Sequence, residues 1–405
     1  MTNNSYVINI IGINMGQWPF YSEDQITAVS AVLRSGKVNY WTGEEGRKFE
    51  TEFANFCSTN HGIALANGTV ALELALRAID IGPGDEVIVP SRTFVATASS
   101  VISCGAIPVF ADVDQYSQNI TTDSIQRVLS SKTKAIITVH LGGWPCEMDP
   151  ILELASTHKL KVIEDCAQAH GALYKGKPVG SLGDVAAFSF CQDKIISTGG
   201  EGGMLVTNNQ EIWDKAWSYK DHGKSYSAVY HQHHSPGFRW LHESFGSNCR
   251  MTEMQAAIGR IQLKQLPVWH TYRHQNAARL TYCFQDLPAL RVIKPPDYIE
   301  HAYYKYDVFV RPELLKSGWD RGRIMAEIND QGVPCFTGPC SEVYLEKAFN
   351  RDNLRSVHRL PVARKLGETG LAFLLHPTLT ENDIETTCDV VEGVMQECIR
   401  KKLAY

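Results

Sequence analysis

Two ionisable residues of this 405-residue chain stand where a short apolar run gives way to a turn. Lys194 lies in the stretch SFCQDKIISTGGEGG, just before a glycine-rich turn, and Asp165 closes the apolar run KVIED. A lysine amine with a lowered pKa can form a Schiff base with a bound aldehyde. A carboxylate at the end of a buried strand needs a cationic partner, such as a protonated pyridine nitrogen.

A third group of residues is suited to holding a phosphate. In ANGTVAL a helix is expected to begin near Val70, which puts Thr69 at its N-terminus, where backbone N–H groups bind anions. The Ser189 hydroxyl is a further candidate donor. Taken singly, Thr69 is better explained as an ordinary N-cap residue and Lys194 as a solvated loop lysine, whereas a capping role explains Asp165 about as well as a functional one. Together they fit one ligand, pyridoxal phosphate (PLP), which carries an aldehyde, a pyridine nitrogen and a phosphate.

The elements that must position these residues alternate between strands and helices from residue 61 to about residue 210. Short runs rich in Val, Ile and Ala, such as DEVIVP, KAIITVHL and DVAAFSF, are typical of strands covered by helices on both faces. The alternation predicts an α/β fold with a mostly parallel sheet. Ligands bind at the carboxyl ends of the strands in such sheets. We therefore expect Asp165, Ser189 and Thr69 along that edge.

The remainder of the chain predicts a smaller α+β domain. A long helical pattern covers residues 251–284, with a break expected at Pro267. Weaker strands (RVIK, YYKYDVFV) and amphipathic helices follow it. We place the domain boundary near residue 265, with a large domain over 1–265 and a small domain over 266–405.

Composition excludes several classes of protein. The net charge of −5 gives no basic face for nucleic acid, and no apolar run is long enough to span a membrane. The first basic residue is Arg34, so the N-terminal stretch lacks the positive region of a secretory signal. The 11 cysteines contain no C-x-x-C pair. We expect reduced thiols, including Cys335 and Cys340, in a cytoplasmic protein.

A metal site is the other possibility raised by composition. His231, His233 and His234 lie close together in the sequence, but their spacing lacks the i, i+4 frame of a helical metal site. A solvated loop explains them better, so no metal is expected.

The ordered motifs resemble the DegT/DnrJ/EryC1/StrS family of sugar aminotransferases. The similarity covers nearly the whole chain, from SEDQITAVSAVLRSGKVNYWTGEEGRKFE through ANGTVALELALRAID, GAIPVFADVD, IEDCAQAHGA and SFCQDKIISTGGEGG to SNCRMTEMQAAIGRIQLKQL and HPTLTENDI. An ordered set is far more specific than one motif. The resemblance implies the PLP-dependent transferase fold of the aspartate-aminotransferase type (fold type I). It also implies a homodimer whose active sites are shared between subunits.

The resemblance implies a role for individual residues. Lys194 matches the Schiff-base lysine, and Asp165 matches the acid that pairs with the pyridinium nitrogen. Gln168 matches a residue near the cofactor's 3-hydroxyl, and Phe94 one that stacks on the pyridine ring. Asn248 matches a residue that reaches the phosphate from the partner subunit. The phosphate ligands expected from the same subunit are Gly68, Thr69, Val70 and Ser189.

The implied reaction moves an amino group, by analogy from glutamate, to a keto group of a nucleotide-linked sugar. A 4-keto-6-deoxy sugar is expected, for amino-sugar biosynthesis in O-antigen, lipopolysaccharide or another surface glycan. Trp41 and Arg250 are candidate substrate-binding residues, although an interface ion pair explains Arg250 equally well. The segments VHLGGWPCEMD, KSYSAVYHQHHSPGFRWLHESFGSN and PCFTGPCSEVYLEKAF depart from the family pattern and are expected to shape the sugar site.

Other functions fit the sequence less well. The PLP-dependent sugar dehydratases of the same family have no Schiff-base lysine and carry a histidine at that position, so Lys194 argues against this function. A nicotinamide-dependent sugar oxidoreductase predicts G-x-G-x-x-G after the first strand, which ANGTVAL does not supply. A catalytically silent relative that only binds PLP would not need the intact lysine, acid and phosphate set.

Overall fold

The computed structural model describes residues 15–350, 354 and 358–400. The absence of a secretory signal was predicted from the N-terminal stretch. Most of that stretch, residues 1–14, lies outside the described range. The helices, in chain order, are α1 (Glu23–Ser35), α2 (Glu45–Phe56), α3 (Gly68–Ala78), α4 (Val95–Ser103), α5 (Thr122–Gln126), α6 (Met148–His158), α7 (Gln210–Lys220), α8 (Tyr226–Tyr230), α9 (Glu253–Phe284), α10 (Arg321–Asp330), α11 (Pro361–Thr369) and α12 (Glu381–Cys398).

The strands, in chain order, are β1 (His61–Leu65), β2 (Glu86–Pro90), β3 (Ile107–Ala111), β4 (Thr133–Val139), β5 (Lys161–Asp165), β6 (Leu173–Tyr174), β7 (Lys177–Pro178), β8 (Val185–Ser189), β9 (Gly203–Thr207), β10 (Leu290–Val292), β11 (Ile299–Glu300), β12 (Lys305–Val310), β13 (Cys335–Phe336) and β14 (Gly370–Leu374).

The larger sheet has seven strands in the order β1-β9-β8-β5-β4-β2-β3. Strand β9 runs antiparallel to both of its neighbours, and the other neighbouring pairs are parallel. The α/β fold with a mostly parallel sheet is therefore confirmed. The carboxyl ends of β5 and β8 lie side by side, because Asp165 pairs in register with Ala187.

Burial on both faces explains why the strand sequences are apolar rather than alternating. In β8, Val185 and Ala187 pack in a core that includes α3, α4 and α7. Ala186 and Phe188 point the other way, into a core that includes α2 and α9. The sheet is thus a rigid layer between two helical layers, and its edge loops are free to carry polar residues.

The last third of the chain forms a four-stranded antiparallel sheet in the order β10-β12-β14-β13. Its core includes residues of α10 and α12 and the second half of α9. The smaller α+β part is therefore present, as predicted. The boundary near 265 stays a prediction, since α9 runs across it. A third, three-stranded sheet has the order β11-β6-β7.

The break expected at Pro267 is wrong, because α9 is continuous across it. A proline in a helix interior costs about 3 kcal/mol. Buried residues on both sides of it hold the helix in place. Leu263 and Leu266 pack in the core under the large sheet, and Leu280 and Phe284 pack in the core of the small sheet. Tertiary packing therefore outweighs the local preference.

The expectation of reduced cysteines is wrong for one pair. Cys283 of α9 and Cys388 of α12 form a disulfide, with their Cα atoms 5.9 Å apart. They are 105 residues apart in sequence and meet because α9 and α12 pack together. Cys335 and Cys340 are free, as predicted. Among the described residues, no helix is both long and apolar enough to cross a bilayer.

Candidate active site

A cavity of about 650 Å³ opens at the carboxyl ends of the parallel strands. Its wall comprises the β1–α3 loop, the start of α4, the end of β5, the loop after β8, the start of β12 and the loop after β13. This is the edge at which ligands were expected. Predicted site residues that line the cavity are Gly68, Thr69, Val70, Phe94, Asp165, Gln168, Ser189 and Lys194.

Asp165 is the last residue of β5 and is 5% exposed. Its Oδ2 accepts a hydrogen bond from the Thr97 hydroxyl at 2.9 Å, and its Oδ1 accepts one from the Ala167 N–H at 3.2 Å. Burial raises the pKa of this carboxyl, although both hydrogen bonds and the charge of Lys194 oppose the rise. The carboxylate is therefore fixed in place, and no cation among the described residues forms an ion pair with it.

The phosphate seat is built from the first turn of α3 and the end of β8. The helix begins at Gly68, two residues earlier than predicted, and its N-cap is Asn67 rather than Thr69. The Asn67 side chain accepts the Val70 N–H at 2.9 Å. That N–H, expected to bind phosphate, is already engaged. The N–H groups of Gly68 and Thr69 are the first-turn donors left without an acceptor inside the helix.

The glycines after Lys194 allow the chain to pass close to itself. A Cβ at Gly202 would lie 2.0 Å from the Thr198 Oγ1, and one at Gly203 would lie 2.3 Å from the Asn67 carbonyl oxygen. These glycines let the loop and β9 pass close to the chain's own backbone and side chains. They bring the β8–β9 turn and the β1–α3 loop together, so they act on the cavity indirectly.

Lys194 enters the cavity from the turn after β8, where its N–H donates to the Cys191 carbonyl at 3.0 Å. Its side chain is 16% exposed. The Nζ lies 3.4 Å from the Tyr304 hydroxyl and 3.4 Å from the Asp193 carboxylate, and the Tyr304 hydroxyl donates to Asp193. The amine is thus held by a long ion pair with Asp193 and a long contact with the Tyr304 hydroxyl.

Phe94 and Gln168 lie on the cavity wall in different settings. Phe94 is the N-cap residue of α4 and is 65% exposed, so its ring can cover a ligand. The Gln168 side-chain oxygen accepts the Gly142 N–H at 2.7 Å, which fixes its orientation. Its amide NH₂ group remains available as a donor.

Trp41, Asn248 and Arg250 do not line this cavity. They lie near one another instead, around Asp221. Arg250 donates to the Asp221 carboxylate at 2.7 Å, and Asn248 forms a backbone bridge with Asp221. Lys224 also contacts Asp221, at 3.2 Å, and lies 4.2 Å from the Trp41 ring centroid. The sequence-predicted residues therefore fall into two separate groups within one subunit.

Several cavity residues were missed by the sequence analysis. Thr97 holds Asp165, while Asp193 and Tyr304 flank Lys194. Lys305 and Asp307 line the wall contributed by β12. A signal for the last two was present, since YYKYDVFV places charged residues on alternate positions of an otherwise apolar strand.

The loop histidines considered as metal ligands have contacts within their own segment. His234 contacts the Ala228 carbonyl at 2.6 Å, and His231 packs against Tyr226. Histidines close enough to other ligand types to share an ion lie elsewhere among the described residues. One group is His140, Glu164 and Cys166, and the other is His270, His274 and Glu300.

The cavity residues fit PLP. The first turn of α3 is so close to Ser189 that a Cβ at Gly68 would lie 2.6 Å from the Ser189 Cβ. This close contact brings helix N–H groups and a hydroxyl to one point, as a phosphate requires. Asp165 is a buried carboxylate without a close cation, as a pyridinium partner requires. Lys194 supplies an amine in the same cavity.

Comparison with known proteins agrees with this geometry. A model of the DegT/DnrJ/EryC1/StrS aminotransferase family matches residues 19–392. An aminotransferase from Psychrobacter cryohalolentis, known from its X-ray structure, is 56% identical with a TM-score of 0.94, over 95% of this chain and 99% of that one. The GDP-perosamine synthase of Caulobacter vibrioides is 38% identical over 365 residues, which are 88% of this chain and 92% of the relative.

A third match was crystallised with a reaction intermediate. DesV of S. venezuelae, in complex with a ketimine intermediate, is 31% identical with a TM-score of 0.82, over 92% of this chain and 94% of that one. Family, fold and cavity residues lead to the same conclusion. The chain belongs to the DegT/DnrJ/EryC1/StrS aminotransferase family, and it is a PLP-dependent aminotransferase.

Proposed function

We propose that this enzyme transfers an amino group from glutamate to the keto group of a nucleotide-linked 4-keto-6-deoxy sugar. The observation that carries the proposal is that Lys194 and Asp165 line one cavity beside the Gly68–Ser189 contact. A nucleotide-linked acceptor is supported by the similarity to a GDP-perosamine synthase. The product would be an amino sugar for a surface glycan such as O-antigen or lipopolysaccharide.

Each cavity residue has a proposed task. Bound PLP supplies an aldehyde and an electron-withdrawing ring. Lys194 would bond to the aldehyde carbon through Nζ with loss of water. Once the donor's amino group has displaced it, the free amine would take the proton from the amino-bearing carbon of the donor. Asp165 stabilises the protonated ring nitrogen, and its Thr97 hydrogen bond keeps it oriented. Phe94 would cover the ring face, and Gln168 would donate to the 3-hydroxyl. The phosphate would be held by Gly68, Thr69 and Ser189, with the engaged Val70 N–H a weaker candidate.

The Lys194 amine must lose a proton before it can act as nucleophile or base. The neighbouring Asp193 carboxylate lies 3.4 Å from this amine. Burial raises the pKa of Asp193, but Lys194 and the Tyr304 hydroxyl outweigh burial, so that pKa is below its usual value. Asp193 is therefore ionised at neutral pH, and it positions the Lys194 side chain when the amine is not bonded to the cofactor.

The proposed active form is a homodimer in the cytoplasm, in which the partner subunit's Asn248 contacts the phosphate. The arrangement of Trp41, Asn248 and Arg250 supports it. These residues resemble family site residues or were predicted to bind substrate, yet they lie outside their own chain's cavity. A shared site explains both facts, because a second copy can bring the group to the neighbouring cavity.

Transfer of a nitrogen label tests the function directly. Purified protein with PLP is incubated with ¹⁵N-glutamate and a panel of GDP-, dTDP- and UDP-linked keto sugars. We expect one nucleotide sugar to gain the label, detected by mass spectrometry. A sugar dehydratase would release a deoxygenated sugar without label, and an oxidoreductase would change the sugar only with a nicotinamide. Either result would replace the proposal.

A further inference from the structure

Lys305, the first residue of β12, brings an unpaired cation to the wall of the active-site cavity. Its Nζ lies 5.3 Å from the Tyr304 ring centroid and 5.1 Å from the Phe336 ring centroid. Within residues 15–350, 354 and 358–400, no acceptor hydrogen-bonds to this amine and no carboxylate forms an ion pair with it. Burial lowers the pKa of this amine, and the charges of Asp193 and Asp307 oppose that effect from beyond ion-pair distance. Burial of an ammonium is costly when no anion contacts it directly.

Other cations near the cavity already have partners. Arg250 is bound to Asp221 at 2.7 Å, outside the cavity. Arg92 is fully buried and donates to Gln118 at 2.9 Å and to Ser341 at 2.7 Å. Lys194 is reserved for the cofactor. Lys305 is therefore the cavity amine that is available to a substrate.

The place of Lys305 restricts which anion it can bind. The Lys194 Nζ lies 5.0 Å from the same Tyr304 ring centroid, so both amines border the same part of the cavity. An anion held by Lys305 must therefore lie close to the reacting nitrogen. In an α-amino acid the carboxylate is attached to the carbon that carries the amine. In a nucleotide sugar the diphosphate is separated from the amine-bearing carbon by part of the sugar ring.

We infer that Lys305 binds the α-carboxylate of the amino donor, and this inference rests on the proposed aminotransferase function. The carboxylate completes the surroundings of the partly buried ammonium beside the Tyr304 ring. Asp307 lies on the same face of β12, and its carboxylate accepts a hydrogen bond from Gln118 at 3.2 Å but is not within ion-pair distance of Lys305. Donor recognition would then come from the small sheet, whereas cofactor recognition comes from the large one.

The test measures binding without turnover. Glutarate, a dicarboxylate that lacks the amine, is titrated into the PLP-loaded enzyme by calorimetry. Lys305→Met keeps the unbranched stem of the side chain and removes the charged amine, so the dissociation constant of the variant for glutarate should rise by about tenfold or more. Lys305→Arg keeps the charge and should bind within about threefold of the unsubstituted enzyme. Lys134→Met, at the amino end of β4 on the opposite edge of the sheet, is the control and should bind normally.

Kinetics in the two directions of the reaction distinguish the donor from the sugar. Lys305→Met should raise the KM for glutamate by about tenfold, with kcat changed by less than about threefold. The KM for the nucleotide sugar and the dissociation constant for GDP should be unchanged. Unchanged glutarate binding in Lys305→Met would overturn the inference, and so would a loss confined to GDP or the nucleotide sugar. If the enzyme binds glutarate through Lys305 but aminates no sugar, the proposed function fails while the carboxylate site stands.

Discussion

Ser189 lies against Gly68 so closely that no side chain can be accommodated between them. A Cβ built on Gly68 would be 2.6 Å from the Ser189 Cβ and 3.1 Å from the Ser189 Oγ. Gly68 is the first residue of α3 and Ser189 is the last residue of β8, so the contact joins a helix N-terminus to the edge of the sheet. It places a hydroxyl beside backbone N–H groups, which is an arrangement that binds phosphate.

Gly68→Ala should therefore weaken cofactor binding. The added methyl group forces α3 and β8 apart, which separates the Ser189 hydroxyl from the helix N–H groups. We expect the PLP dissociation constant to rise by about tenfold, and stability to fall by about 1–3 kcal/mol, as measured by fluorescence titration and urea unfolding. Gly82→Ala is the matched control, because a Cβ there meets no atom within 4 Å. Equal PLP affinity in the two variants would exclude the phosphate role of this contact.

Lys194→Ala should abolish transamination while PLP is still bound through its phosphate. The amine forms the covalent bond, whereas Gly68 and Ser189 hold the other end of the cofactor. We expect a rate loss of at least about a hundredfold. Borohydride reduction followed by denaturation should leave the cofactor attached to the unsubstituted chain but not to the variant, as seen by mass spectrometry. Lys194→Arg should fail as well, since a guanidinium stays protonated. Substantial turnover in Lys194→Ala would remove this residue from the mechanism.

Asp165→Asn should have opposite effects on the free protein and on the cofactor complex. Burial raises the pKa of Asp165 above its usual 3.8 in the folded protein. Such a group stabilises the fold when it is neutral, below the unfolded pKa, and that contribution is lost as pH rises through the folded pKa. At pH 7 the buried carboxylate therefore costs stability, and the neutral amide should raise the melting temperature of the cofactor-free protein by about 2 °C.

The same substitution should weaken the complex, because the amide cannot hold the ring nitrogen's proton. We expect PLP affinity and the transamination rate each to fall by about tenfold or more. Melting curves from pH 3 to pH 8, with and without PLP, provide the measurement. The gain in melting temperature should disappear below the usual pKa of the carboxyl. A variant that is less stable without cofactor and normal with it would contradict both parts of the argument.

Mixed dimers test whether the site is shared. Lys194→Ala chains and folded, inactive Asn248→Ala chains are combined, and mixed dimers are isolated with two affinity tags. One of the two sites then has an intact lysine and an intact Asn248 of the partner subunit. We expect roughly half of the unsubstituted activity per mixed dimer to return. Mixed dimers that stay inactive, or an active monomer in sedimentation, would exclude the shared arrangement.

Sequence alone was sufficient to predict those parts of the site that depend on the succession of neighbouring strands, loops and helices. Asp165 and Ser189 each end an apolar run, and parallel strands place such ends on one edge. The α3 N-terminus follows from a strand, a short polar loop and a helical pattern in succession. These features depend on residues close together in the chain, and their spacing carries the information. The family motifs are also short stretches of sequence, so they could be recognised in order along the chain.

Tertiary structure decided the rest of the site. Tyr304 reaches Lys194 across 110 residues of sequence, because the small sheet docks beside the large one. The availability of Lys305 and the engagement of Arg250 by Asp221 depend on which side chains pack nearby. The continuity of α9 through Pro267 also depends on tertiary packing, because buried contacts on both sides of the proline hold the helix in place. Such outcomes depend on free energies summed over distant contacts, which no short stretch of sequence contains.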